Sequence, residues 1–225
     1  MKSLVFTLRS QFPRMLKSEL QRWLAASMLF SVLLVSARIV YTGQLSFIFL
    51  VWNLFLAYVP YVLTSWLRYR PDWIESPRKF AAVFIAWLLF IPNSFYIITD
   101  LFHLHIYGSI PGWYELALLL SFAWNGILLG ILSLRQMETI VRVRFPYSNE
   151  LLFIYPIMWL NALGIYIGRY LRFNSWDVIT SPFGLIADIA DIIMHPIAYK
   201  SAWGMIFCYS FLMTLIYVTI KKIRR

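Results

Sequence analysis

Three segments of the chain hold residues whose types and spacing could carry chemistry. In PNSFYIITDLFHLH, residues 92–105, Asp100 and His103 are three apart and share a face if the helix continues; Glu115 follows in the next apolar segment. A carboxylate beside an imidazole makes an acid–base pair that can move protons near neutral pH. In GRYLRFNSWD, residues 168–177, Arg169 and Arg172 stand one helical turn apart, ahead of Asp177. Guanidinium groups so placed suit phosphate or carboxylate recognition. The structural alternative is that Arg169 neutralises Asp177, Glu115 or Asp100. In SPFGLIADIADIIMHP, residues 181–196, Ser181 as N-cap and Pro182 at the first helical position predict a short helix over 182–195, which His195-Pro196 ends. Asp188, Asp191 and His195 then fall within about 60° on one face, against the alternative of a solvated acidic stripe.

Aspartates mixed with His103, His105 and His195 could hold a divalent cation that activates water. The chain carries no HExxH, EF-hand loop, P-loop or GxGxxG, so no metal ligand and no cofactor is assigned. Ser94 or Ser175 as a nucleophile near His103 and Asp100 is a further possibility. A retinal protein would need a lysine buried in mid-helix, which Lys200, at a helix edge, does not supply.

The elements that must position these groups are set by composition. Hydrophobic residues make up 61% of the 225, only 13% are charged, and mean hydropathy is +0.70. That leaves too little polar surface to clothe a water-soluble globule. The single cysteine, Cys208, excludes a disulfide scaffold and thiolate zinc sites. Charge-free runs cover 23–37, 39–67, 80–99, 116–134, 151–168 and 201–220. Five can cross ~30 Å of hydrocarbon at 1.5 Å per residue. The first is short, and Arg38 would extend it by snorkelling toward the headgroups. Thr42-Gly43-Gln44 reads as the turn before the second helix. The expected fold is therefore all-α: a single transmembrane bundle with spans at about 23–41, 44–66, 80–98, 114–134, 151–171 and 198–220.

Of the twenty basic residues, sixteen fall in the N-terminal stretch, the connections after the second and fourth spans, and the tail. Only Arg38, Arg169, Arg172 and Lys200 fall on the other side. By the positive-inside rule both termini are cytoplasmic, and the net charge of +10 is a topology signal rather than a nucleic-acid footprint. The N-terminus has no h-region or cleavage site, so it is not read as a signal peptide. Leu4, Leu8, Phe12, Leu16 and Leu20 recur at fours and predict a basic interfacial helix over 3–21, broken at Pro13. A basic leader that only fixes topology is the alternative.

Gly126/Gly130 and Gly164/Gly168 form GxxxG pairs, and Ser201, Gly204 and Cys208 form a small-residue stripe. All three are read as close packing within the bundle rather than as a dimer interface. Trp113, Tyr114, Trp176 and Trp203 suit an outer aromatic belt. The three histidines, with Asp100, Glu115, Asp177, Asp188 and Asp191, all fall on the outer side. Asn53, Asn93, Asn125 and Asn161 step inward from it, where uncharged amides need partners in the bundle interior. Together these predict an outward-opening polar pocket; interhelical hydrogen bonding alone would also explain the amides.

PNSFYIITDLFHL, WYELALLLSFAWNGILLGILSL and GIYIGRYLRFNSWDVI followed by Ser181-Pro182 resemble the bacterial membrane-protein family catalogued as domain of unknown function 1361. The resemblance runs over about residues 50–220, with Glu115 where the family's motif carries aspartate. It implies a polytopic bacterial inner-membrane protein and no particular reaction. Helix 182–195 lies outside the matching motifs. A looser comparison, with ceramidase-like zinc hydrolases that use three histidines, meets a different spacing here.

Two functional classes follow. In an envelope enzyme acting on a lipid-linked or outer-leaflet substrate, Asp100, His103 and Glu115 would do acid–base work. Arg169, Arg172, Asp177, Asn93, Asn125 and Asn161 would then hold an anionic headgroup and line the pocket. In a transporter, channel-like element or assembly partner, the asparagines would line a path or an interface. The partners implied are the bilayer and a lipid or anionic headgroup, with no nucleic acid.

Overall fold

Leucine-, phenylalanine- and tryptophan-rich runs bounded by glycine and proline have one way to satisfy their backbone in hydrocarbon, which is to become helices. In this computed structural model, which describes residues 14–104, 110–145, 150–173 and 177–223, no strand occurs among the described residues. In chain order the helices are α1 (Arg14–Thr42), α2 (Phe49–Leu67), α3 (Pro71–Glu75), α4 (Pro77–Tyr96), α5 (Gly112–Arg144), α6 (Glu150–Tyr166), α7 (Asp177–Thr180), α8 (Pro182–Met194) and α9 (Lys200–Ile223). A 3-10 segment, Ile97–His103, prolongs α4, and a π segment, Ile167–Leu171, prolongs α6. Among the described residues, six helical stretches are long and apolar enough to cross a membrane: Glu19–Thr42, Phe49–Leu67, Pro77–His103, Gly112–Arg144, Leu152–Leu171 and Lys200–Ile223. They are the six spans that the charge-free runs predict.

The ends follow local rules. Gly43 sits at φ 68 and donates its N–H to the Ile39 carbonyl at 2.8 Å. This is a left-handed helix stop, which glycine adopts without steric penalty. Thr42 Oγ1 accepts from the Gln44 N–H at 3.2 Å, completing the expected turn. One expectation needs correcting. α1 runs unbroken from Arg14, so residues 14–21 lead directly into the first span rather than closing a separate interfacial helix. Residues 1–13, including the expected break at Pro13, lie outside the described residues.

The helices gather into two compact units, Met1–Tyr147 and Ser148–Arg225. In the first, α2 packs on α4 and α5, and α1 packs on α5. Phe47, Leu50, Leu54 and Tyr61 interlock there with Leu118, Leu119, Phe122 and Leu129. Gly126 and Gly130 are the close-approach points. A Cβ at Gly126 would come within 2.5 Å of the Ser94 carbonyl oxygen, and one at Gly130 within 2.8 Å of the Phe95 ring. This GxxxG therefore serves packing inside the unit.

In the second unit α6 packs on α9. The buried stripe of α9 is Ala202, Ile206, Ser210, Met213 and Tyr217. The stripe expected from residue size, Ser201, Gly204 and Cys208, faces the other way: Ser201 and Cys208 are exposed, and a Cβ at Gly204 would meet nothing within 4 Å. α8 begins after Ser181 with Pro182 in its first turn and ends at Met194, as predicted to within one residue.

Candidate functional site

At one end of the first unit, charged and polar side chains enter an otherwise apolar interior. Glu115 lies in the first turn of α5 and is 1% exposed; Arg38, four residues before α1 ends, is also 1% exposed. Arg38 Nη2 stands 3.7 Å from Glu115 Oε1, and its guanidinium lies 4.4 Å from the centroid of the Phe47 ring. The expected snorkelling of Arg38 is thus overturned. An acid within reach and an aromatic face under the guanidinium favour an inward rotamer over one that climbs to the headgroups. Both helix termini assist, since the start of α5 favours the carboxylate and the end of α1 favours the cation.

Asp100 is 1% exposed and accepts a hydrogen bond from Asn53 Nδ2 at 2.9 Å, which joins the 3-10 segment to α2. A 3-10 helix eclipses residues three apart, so Asp100 and His103 do share a face. His103 Nδ1 lies 3.2 Å from the Asp100 backbone carbonyl, and its ring lies 5.3 Å from that of Phe49. A carbonyl can only accept, so Nδ1 is the donor in this contact. Tyr114 donates its hydroxyl to the Leu34 carbonyl at 2.8 Å, pinning the start of α5 to α1.

The deeper amides divide. Asn125 Nδ2 lies within hydrogen-bond reach of Ser31 Oγ at 2.9 Å, the Ser121 carbonyl at 2.9 Å and the Ser27 carbonyl at 3.2 Å, tying α5 to α1. Its Oδ1 is buried with no hydrogen-bond partner among the described residues. Asn93, just after Pro92, donates to the Phe90 carbonyl at 3.0 Å. Toward the opposite end, Thr64 and Ser65 both donate to Gln136 Oε1, and Trp87 Nε1 donates to Ser133 Oγ at 2.8 Å. Sequence reading did not single out this last layer, because no charge marks it.

The second unit holds the remaining candidates. Asn161, on α6, is 1% exposed, and neither atom of its amide has a hydrogen-bond partner among the described residues. Arg169, half-buried, sits within the π segment, and the Arg172 N–H reaches back five residues to the Ile167 carbonyl. Arg172 is exposed and takes φ 61, a left-handed conformation uncommon for a side chain of its size. π turns are frequently found at functional positions. Asp177 opens α7 and accepts from Thr180 Oγ1 at 2.9 Å. Of the acidic stripe on α8, Asp188 is exposed. Asp191 is bound by His195 Nδ1 at 2.8 Å and by the Tyr199 hydroxyl. The hydrogen bond from Tyr199, with that from His195, holds the Asp191 carboxyl below its ordinary range and raises Tyr199 in turn. Trp203 Nε1 donates to the Ile192 carbonyl at 3.1 Å, so the end of α8 is fastened to the start of α9.

Among the described residues no three His, Cys, Asp or Glu side chains gather at a spacing that would hold a metal ion. His105 and Ser175 lie outside the described residues. The residues that sequence reading underrated are Arg38 and Asn53. The available signal was the general one, that a charge inside a span needs a partner across the bundle.

Six apolar spans with buried ionisable groups at one end of the first unit define a polytopic α-helical membrane protein. The chain belongs to the family described as Protein of unknown function (DUF1361), whose model matches residues 52–216. The match takes in Asp100, His103, Glu115, Arg169 and also α8, while Arg38 falls before it. No curated protein and no solved structure matches the chain.

Proposed function

We propose that the chain is a bacterial inner-membrane protein with both termini cytoplasmic, whose outer end acts on the headgroup of a lipid-linked or outer-leaflet envelope substrate. The observation that carries this reading is the burial of Asp100 and Glu115, each 1% exposed, at one end of one helical unit. Ionisable groups are costly there and are kept mainly where they work. Asp100 and His103 serve as the acid–base pair, with His103 Nε2 as the proton-exchanging atom and Asn53 fixing the carboxylate. Glu115 sets the local field with Arg38 at its side. Within the second unit, Arg169 and Arg172 are the groups whose guanidinium chemistry suits an anionic headgroup.

His103→Gln and Asp100→Asn keep approximate size and hydrogen bonding while removing the base and the carboxylate charge. Both variants are expected to insert and melt like the parent yet fail to complement a deletion phenotype. Full complementation by both would overturn the acid–base site. Metal content by mass spectrometry, compared between the parent and His103→Gln, separates metal-assisted from plain proton-transfer chemistry.

A second reading, passage of a proton or small polar solute, draws on the polar layers at Asn125 and at Thr64, Gln136 and Ser133 further along the same unit. Solute or proton flux in proteoliposomes that is abolished by Asn125→Leu would favour it.

A further inference from the structure

The opposite end of the first unit carries a constellation that the acid–base site does not use. Trp66, in the last turn of α2, and Trp73, in α3, meet edge to face with ring centroids 4.9 Å apart. The Arg70 guanidinium lies 5.7 Å from the Trp66 ring and the Lys79 ammonium 5.5 Å from the Trp73 ring. Both cations are exposed, and Trp66 is 36% exposed. Two indoles are thus bracketed by two cations at the point where a span ends. That is the depth of the lipid headgroups, where indole is the preferred side chain.

The bracket is held in shape from behind. Arg144, at the end of α5, donates from Nη1 to the carbonyls of Ile74 and Glu75, while its guanidinium lies 5.1 Å from the Phe80 ring. This fixes α3 between α2 and α4, so little ordering is left to be lost on binding. Charge supports an anionic ligand. Between residues 68 and 79 stand Arg68, Arg70, Arg78 and Lys79 against Asp72 and Glu75. Arg70 stands between α2 and α3 and Lys79 in the first turn of α4, so the turn through α3 brings one cation to each indole.

We infer that the Trp66–Trp73 pair, bracketed by Arg70 and Lys79, binds the phosphodiester headgroup of an anionic phospholipid from the leaflet bordering this end of the unit. The indole N–H groups and both cations serve as donors to the phosphate, and the acyl chains lie along the exposed apolar face of α2, where Phe55 and Val62 are 54% and 43% exposed. The site stands at the other end of the unit from Asp100 and Glu115 and does not depend on the function proposed for them.

The test uses purified full-length protein in neutral detergent. Phosphatidylglycerol should raise the melting temperature of the parent by about 5 °C near saturation, while phosphatidylcholine, with the same phosphate but no net charge, should not. Arg70→Gln with Lys79→Gln should weaken the apparent affinity for phosphatidylglycerol roughly 30-fold, on two lost cation contacts. Arg22→Ala with Lys222→Ala, which removes two exposed charges elsewhere, should leave it unchanged. Should the first pair fail to fold, the single exposed Lys79→Gln reads the same loss in smaller measure. Equal stabilisation by phosphatidylcholine, an undiminished response in the glutamine variants, or an equal loss in the Arg22/Lys222 pair would each overturn the site. Stabilisation by soluble glycerophosphoglycerol at the same level would overturn the lipid as ligand, leaving a free phosphodiester.

Discussion

Arg38 and Glu115 each stand near a helix end whose dipole favours their charge, and each is removed from water by the same group of helices. Neither could be paired from the sequence, because 77 positions separate them and nothing local links the end of α1 to the start of α5. What was legible was Asp100 with His103: residues three apart share a face in any helix with nearly three residues per turn. The pairing yields a thermodynamic expectation. Arg38→Met leaves a buried carboxylate without its cation and should cost ~3–5 kcal/mol, read as a fall in the detergent melting temperature. Adding Glu115→Gln removes the stranded charge and should recover a substantial part of the loss. A double variant whose loss equals the sum of the two single losses would show that the residues are not coupled.

Helix existence was legible because the charge-free runs have the length that hydrocarbon demands. Which face of each helix is buried was not. For α5 the small residues mark the packing face, since Gly126 and Gly130 abut Ser94 and Phe95. For α9 the stripe of Ser201, Gly204 and Cys208 does not, since the buried face is that of Ala202, Ile206, Ser210, Met213 and Tyr217. Small size permits close approach but does not require it. The end of α8 makes an element-scale prediction. Asp191 is held below its ordinary value of 3.8 by Tyr199 and His195, so the clamp on α8 is fully present above that value and is lost as pH falls through the depressed one. Tyr199 is held above 10.0, so the clamp is lost again as pH rises through that raised value. Hydrogen-exchange protection of Ile192–Tyr199 should therefore fall as pH drops below about 4 and again as it rises above about 10. Tyr199→Phe should lower protection at neutral pH and erase its difference from the parent at strongly acidic pH. Equal protection in both proteins at pH 7 would mean that the Asp191–Tyr199 bond does not hold α8.

At the scale of the molecule, the proposed orientation rests on an even number of spans, which would put both termini on one side, and on the basic residues, which would choose that side. On the proposed orientation the connection at Gly43–Ile48 and helix α8 would lie outside, with α3 and its flanking arginines inside. The candidate site depends on this orientation, because the burial of Asp100 and Glu115 defines an end of the unit but not the compartment it faces. Single cysteines placed in a Cys208→Ser background decide it, because each variant then carries one thiol. Gln44→Cys and Asp188→Cys, both at exposed positions, should be labelled in intact cells by a membrane-impermeant thiol reagent. Asp72→Cys, exposed on α3, should be labelled only after permeabilisation. Labelling of Gln44→Cys without Asp188→Cys would mean that a helix between them does not cross, so the span count would fail before the orientation did. Labelling of Asp72→Cys alone in intact cells would turn the molecule over, placing the Asp100–His103 pair at the cytoplasmic face. An outer-leaflet substrate would then be out of its reach.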